Sequence, residues 1–175
     1  ELLQQLAGEH WAEEVERVLS ERTGLVRVVF DGPGTLSNAW ACLRTMDCFG
    51  VQGAEVVDQQ GADQEHVDGI EVALSSQPWI TVRRWRDPAA CVEALHGEGY
   101  AVLAMDLAPG SLSLDELLPQ LAGSCARQPA KVAVVIGNEL DGISDAMREL
   151  ADWRGFLPMA GMSRSFNFSV ACGVV

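Results

Sequence analysis

The sequence predicts an α/β fold: a mainly parallel sheet flanked by helices. Short apolar stretches at 26–30, 54–57, 100–105 and 131–136 alternate with helix-patterned segments. Residues 100–105, and 132–136 after Lys131, are apolar at every position, as strands covered on both faces are. The chain has 175 residues, 48% hydrophobic and 21% charged, which makes one globular domain with a sizeable core.

The elements follow in order. Residues 9–22 carry Trp11, Val15, Val18 and Leu19 at helical spacing, with Glu13, Glu14, Glu16 and Arg17 between them. Gly24 is the expected stop. A buried strand at 26–30 is broken by Asp31-Gly32-Pro33-Gly34. Ser37 is placed to cap a helix over 38–49. A short strand at 54–57 leads into a polar loop over 58–77. Residues 79–85 read as a strand, and Asp87-Pro88 opens a helix reaching His96, with proline in its first turn. A strand at 100–105, a helix at 114–121, a strand at 131–136, a helix at 143–150 and a strand at 155–159 continue the alternation. A last helix begins at Phe166, where Ser163 or Ser165 is the fitting cap and Asn167 fits that role poorly. The sequence has no internal repeat and no low-complexity segment.

Composition narrows the function classes. Cys42, Cys48, Cys91, Cys125 and Cys172 are scattered, without a Cys-x-x-Cys pair, and His10, His66 and His96 are isolated. This reads as reduced thiols acting as small buried hydrophobes, with no metal site. No apolar run reaches the ~18 residues that span a membrane, and no signal peptide is visible. The expected location is intracellular, cytoplasmic or organellar. The chain opens on Glu1 and stops at Val175 inside an apolar stretch, which reads as an excised piece of a longer chain. An N-terminal helical segment at 1–24 precedes a main domain at 25–175. The net charge of −13 argues against a general grip on nucleic acid, which needs clustered Lys and Arg.

Familiar cofactor and catalytic loops are absent: no Gly-x-Gly-x-x-Gly, no P-loop, no Gly-x-Ser-x-Gly and no His-Glu-x-x-His. Chemistry must come from three polar clusters. The first runs from Asn38 to Arg44, where Arg44 in an apolar helix either pairs with an anion or reaches solvent. The second is Gly137-Asn138-Glu139-Leu140-Asp141-Gly142, at the carboxyl end of a strand, where open α/β sheets bind ligands. It reads equally as a plain strand-to-helix turn. The third is Ser165-Phe166-Asn167-Phe168-Ser169, a capped helix start or a polar site.

A resemblance discriminates between these readings. Leu36-Ser37-Asn38-Ala39-Trp40-Ala41-Cys42-Leu43-Arg44-Thr45, followed by Gly50-Val51, resembles the first motif of the SpoU (TrmH-type) RNA 2'-O-ribose methyltransferases. Val135-Ile136-Gly137-Asn138-Glu139-Leu140-Asp141-Gly142-Ile143-Ser144 resembles their second. Leu157-Pro158-Met159 with Ser165-Phe166-Asn167-Phe168-Ser169-Val170-Ala171 resembles their third. Pro78-Trp79 and the segment 100–109 are also similar. The resemblance covers about residues 10–175, with the motifs in the family's order.

The resemblance implies a deep C-terminal trefoil knot, a rare exception to unknotted topology, and S-adenosylmethionine as the cofactor. Arg44 becomes the catalytic arginine acting at a ribose 2'-hydroxyl, with Asn38, Glu139, Ser165 and Asn167 shaping the site. Met105, Gly137, Leu157, Met159 and Phe166 line the cofactor. The implied partners are RNA, foremost a guanosine in tRNA, and a second copy of the chain in a homodimer. Candidate RNA contacts are Arg17, Arg22 and Arg84, with Arg83 and Arg86 beside the last. The competing readings are a ribosomal RNA methyltransferase and a catalytically silent RNA-binding module of the same fold. The sequence departs from the family at Ser37, where a His is frequent, and at Phe166 and Phe168, which replace aliphatic residues.

Overall fold

The computed structural model describes residues 9–33, 36–58, 79–123, 130–138, 140–162 and 165–175. Its elements are α1 (Glu9–Glu21), β1 (Thr23–Asp31), α2 (Leu36–Cys48), β2 (Val51–Val57), β3 (Thr81–Trp85), α3 (Pro88–Gly97), β4 (Tyr100–Met105), β5 (Leu112–Ser113), α4 (Leu114–Gly123), β6 (Lys131–Gly137), α5 (Asp145–Leu150), β7 (Trp153–Phe156) and α6 (Phe168–Val174). The strands form one sheet in the order β3-β2-β1-β6-β4-β7-β5, with every pairing of named strands parallel.

Alternation along the strands splits the core into two layers. Val28 and Phe30 of β1, with Ile136 of β6, pack beneath Trp40, Leu43 and Met46 of α2 and Phe168 of α6. Val29, Val57, Val102 and Val135 face the other way, onto Cys91 and Leu95 of α3 and Met147 of α5. Leu103 of β4 meets Leu114, Leu117 and Leu121 of α4. Central strands buried on both sides explain the unbroken apolar runs.

The structure corrects several boundaries. α1 ends at Glu21, so Gly24 already belongs to β1. α2 starts at Leu36, which puts Ser37 inside the first turn and not at the cap. β7 starts earlier than expected because Trp153 is held in register with Leu103 of β4. Leu157 and Met159 therefore lie beyond the sheet. The two-residue β5 has no periodic signature and is not anticipated. Apart from Asp58, the expected loop at 58–77 lies outside the described residues. Gly50 closes α2 at a φ of +71°, and a β-carbon there would sit 2.7 Å from the Glu21 carbonyl oxygen.

One buried carboxylate organises the α3 side of the sheet. Glu55 of β2 is fully buried. It accepts from Arg83 Nε at 2.9 Å, Arg83 Nη2 at 2.7 Å and Trp85 Nε1 at 2.6 Å, and from Arg27 Nη1. Glu98 pairs with both arginines from the outside. Arg83, a candidate RNA contact, is thus committed to the fold. Glu55→Ala leaves two largely buried guanidiniums with the more exposed Glu98 as their remaining partner, and is expected to lower stability by about 3 kcal/mol. Chemical denaturation measures this; an unchanged midpoint would refute it.

Candidate functional site

β6 ends at Gly137, and the chain folds straight back. Asn138 N donates to Gly142 O at 2.8 Å, and Gly142 N donates to Asn138 O at 2.9 Å. The Asn138 side chain fixes this loop twice. Its Oδ1 accepts from Leu140 N at 2.7 Å, and its Nδ2 donates to Gly32 O at the end of β1, at 2.8 Å. The loop lies directly on Gly137. A β-carbon there would stand 2.2 Å from the Gly142 carbonyl carbon and 2.3 Å from Ile143 N. Asp31, buried at the end of β1, accepts from Ser144 N at 2.7 Å and so ties down the start of α5.

This loop forms one wall of a cavity of about 400 Å³. The cavity opens at the carboxyl ends of β6, β4 and β7, which are neighbours in the sheet. Met105 and Asp106 follow from β4, Phe156 and Leu157 from β7, and Met159 lies just beyond. Ser165, Phe166 and Phe168 close the remaining side. Met105, Gly137, Leu157, Met159 and Phe166, all expected around the cofactor, are therefore brought to one place. The two phenylalanines separate: Phe166 is 44% exposed on the cavity wall, whereas Phe168 is buried with its ring centroid 5.4 Å from that of Phe30.

The walls are largely apolar, and the charged side chains among the described lining residues are Asp106 and Asp141. Asp106 accepts from Arg148 Nε at 2.6 Å, and Arg148 Nη2 donates to Ile143 O at 3.0 Å. That hydrogen bond and the charge of Asp106 hold the Arg148 guanidinium above its ordinary pKa. The arginine thereby clamps the end of β4 to the start of α5. Asp106, Leu140 and Ile143 line the cavity without having been expected there. Leu140 and Ile143 belong to the second motif and Asp106 to the similar segment 100–109, and all three lie one to six residues beyond the ends of β4 and β6.

The residues expected to act on substrate are distributed differently. Glu139 lies outside the described residues. Ser165 is exposed and lines the cavity. Asn167 is the N-cap of α6: its Oδ1 accepts from Ser169 N at 3.0 Å and Ser169 Oγ at 2.7 Å. That corrects the expectation of a Ser163 or Ser165 cap, because the helix begins at Phe168 and Ser165 is too far upstream. Asn38 and Arg44 sit on α2 and do not line the cavity. Arg44 is exposed and makes no hydrogen bond or ion pair among the described residues. Its helix packs against α6, with Cys42 Sγ 4.0 Å from Phe168 O.

The expected RNA contacts also divide. Arg17 is exposed but bridged to Glu14 at 2.7 Å and Glu21 at 3.1 Å. Arg22 is paired with Asp47, and its side chain is only 9% exposed, so it serves the fold. Arg84 is exposed on the edge strand β3, its guanidinium 5.6 Å from the ring centre of Trp40.

With this geometry in place, three comparisons bear on the chain. The sequence profile of the SpoU rRNA Methylase family matches residues 25–175. The tRNA (guanosine(18)-2'-O)-methyltransferase of Borreliella burgdorferi is 29% identical over 161 residues, which is 92% of this chain and 68% of that one. The 23S rRNA (guanosine-2'-O-)-methyltransferase of Vibrio cholerae is 29% identical over 161 residues, 92% of this chain and 61% of that one. The crystal structure of the Aquifex aeolicus TrmH/SpoU tRNA modifying enzyme superposes with a TM-score of 0.77 at 26% identity, covering 95% of this chain and 79% of that one.

Proposed function

The chain belongs to the SpoU rRNA Methylase family, and on that premise we propose that it methylates a ribose 2'-hydroxyl of RNA, a guanosine in tRNA first. S-adenosylmethionine is the methyl donor in this reading. The volume of about 400 Å³ lies within the range of small-molecule sites, roughly 300–1,000 Å³. The apolar walls suit a flat base, the bare backbone at Gly137 allows close approach, and Asp106 and Asp141 suit a cation. Met105, Gly137, Leu157, Met159 and Phe166 would hold it. When bound, it supplies a methyl group made electrophilic by the sulfonium.

The protein's own part is positioning. A guanidinium has no lone pair with which to act as a base. Arg44 instead orients the phosphate and the adjacent hydroxyl through its planar donor edge. Asn38, Glu139, Ser165 and Asn167 shape the surrounding polar site. Arg44 does not line the cavity of its own chain, which supports a homodimer in which one copy brings Arg44 to the cavity of the other. The exposed apolar residues Phe49, Val170 and Val174 on and beside α2 and α6 offer a surface for that partner. The knotted threading of the carboxyl-terminal segment and the division at residue 24 belong to the same proposal.

The observation that carries this reading is the meeting of the second and third motifs at the carboxyl ends of β6, β4 and β7, with the helix of the first motif packed against α6. Transfer of labelled methyl to tRNA and ribosomal RNA transcripts tests it. Incorporation into tRNA, at a nucleotide whose 3'-phosphodiester then resists alkali, is the expected result. Incorporation only into ribosomal RNA selects the second substrate, which the Vibrio cholerae relative supports. Absence of both transfer and cofactor binding at millimolar ligand selects the silent module.

A further inference from the structure

The cavity at the carboxyl ends of β6, β4 and β7 is unevenly charged. Among the described residues its lining holds two carboxylates, Asp106 and Asp141, and no Lys or Arg. The charge of Asp106 is already met. Its side chain is 13% exposed and accepts from Arg148 Nε at 2.6 Å. The same guanidinium donates to Ile143 O at 3.0 Å and pairs with Asp145. Asp106 and Arg148 thus largely cancel each other's field in the cavity.

Asp141 differs. It lies in the turn that Asn138 pins, and Asn138 Oδ1 accepts from Asp141 N at 3.4 Å. Gly142 N, the next along, donates to Asn138 O at 2.9 Å. The Asp141 side chain itself makes no hydrogen bond or ion pair among the described residues. Its backbone is held at the cavity wall while its charge is unmet. An unmet carboxylate beside a cavity attracts a cation and does little for a neutral ligand of the same shape.

We propose that Asp141 sets the preference of this site for S-adenosylmethionine over its own product, S-adenosylhomocysteine. The inference rests on the methyl-transfer reading and adds a specificity-determining residue to it. The donor carries a sulfonium, an ammonium and a carboxylate, and so is a net cation. In the transfer the sulfur–methyl bond breaks and its electron pair stays on sulfur. The carbon–oxygen bond forms at the ribose, and the hydroxyl proton passes to water. The product keeps its ammonium and carboxylate, but its thioether is neutral. The attraction of Asp141 therefore lapses when the methyl group leaves, which favours release of the product. Asp141 is exposed, so water screens it and the preference is a few-fold.

The test is calorimetry of the full chain with three ligands: the donor, the product, and sinefungin, which bears a protonated amine where the sulfonium stands. Asp141→Asn keeps the side chain's size and removes its charge. The expected result is an affinity loss of about fivefold for the donor and for sinefungin, with the product changed less than about twofold. In the unaltered chain, salt at about 0.5 M should narrow the gap between donor and product, and in Asp141→Asn it should not. Glu149→Gln removes the same charge from an exposed position outside the cavity lining, and should leave all three affinities as they are. Circular dichroism confirms that each variant is folded. Equal weakening of all three ligands by Asp141→Asn overturns the proposal, because it puts the carboxylate at the shared ammonium or in the shape of the wall. Unchanged binding of all three overturns it too, as does an equal effect of Glu149→Gln. If the unaltered chain binds neither donor nor product, the methyl-transfer reading falls and the proposal with it.

Discussion

Replacing Arg44 by lysine is expected to slow methyl transfer about 100-fold while leaving the affinity for S-adenosylmethionine unchanged. The split follows from where the side chain sits. Arg44 is on α2, outside the residues lining the cavity, so a cofactor bound there does not depend on it. It is exposed and unpaired among the described residues, so its loss removes no structural ion pair. Lysine preserves the charge but presents a point donor in place of a planar fork, and it cannot hold a phosphate and a hydroxyl in one fixed geometry. A loss in kcat and kcat/KM together, with calorimetric cofactor binding intact, is the signature of an interaction made in the transition state. Near-normal turnover of Arg44→Lys would sink the positioning role. Weakened cofactor binding with normal kcat would move Arg44 into the cofactor site.

The strands are legible where local punctuation bounds an apolar run. Strand 100–105 is read to the residue because Gly99, at a φ of +83°, precedes it and the polar Asp106 follows. The order of the strands is not legible. β1, β2 and β6 all carry runs buried on both faces, and nothing local says that β1 lies between the other two. β7 is misplaced by sequence reasoning because Phe156, Leu157 and Met159 look like a strand, whereas pairing with Leu103 and Ala104 selects Trp153 and Arg154. The cap of α6 fails for a related reason. A helix expected to start at Phe166 makes Ser165 the cap and leaves Asn167 inside it, whereas the packing of Phe168 against Phe30 goes with a start two residues later.

The site follows the same division. The resemblance named the cavity residues because motifs encode backbone turns such as the one at Gly137. It could not show that Arg22 is withdrawn from the surface, because the cause is Asp47, a partner 25 residues away across a tertiary contact. Nor could it show Arg148 clamping Asp106, which needs two strand ends and a helix start to meet.

Gly137→Ala is expected to weaken cofactor binding about 100-fold and to lower stability by about 2–3 kcal/mol. The reason is space and not backbone conformation, since Gly137 is absent from the glycines of positive φ. The new methyl group would meet the carbonyl carbon of Gly142 at 2.2 Å and the nitrogen of Ile143 at 2.3 Å. Both are main-chain atoms, so no side-chain rotation can relieve the clash. The loop 138–142 must lift away from β6. Lifting it strains the paired bonds between Asn138 and Gly142 and the bond from Asn138 Nδ2 to Gly32 O, and it opens the cavity wall. Gly97→Ala is the matched control: a β-carbon there meets nothing within 4 Å, and the substitution favours the helix end it occupies. Calorimetry of S-adenosylmethionine binding and urea denaturation of the two variants, side by side, measure both effects. If Gly137→Ala behaves like Gly97→Ala in both, the loop does not rest on Gly137 as described, and the wall of the site must be placed elsewhere.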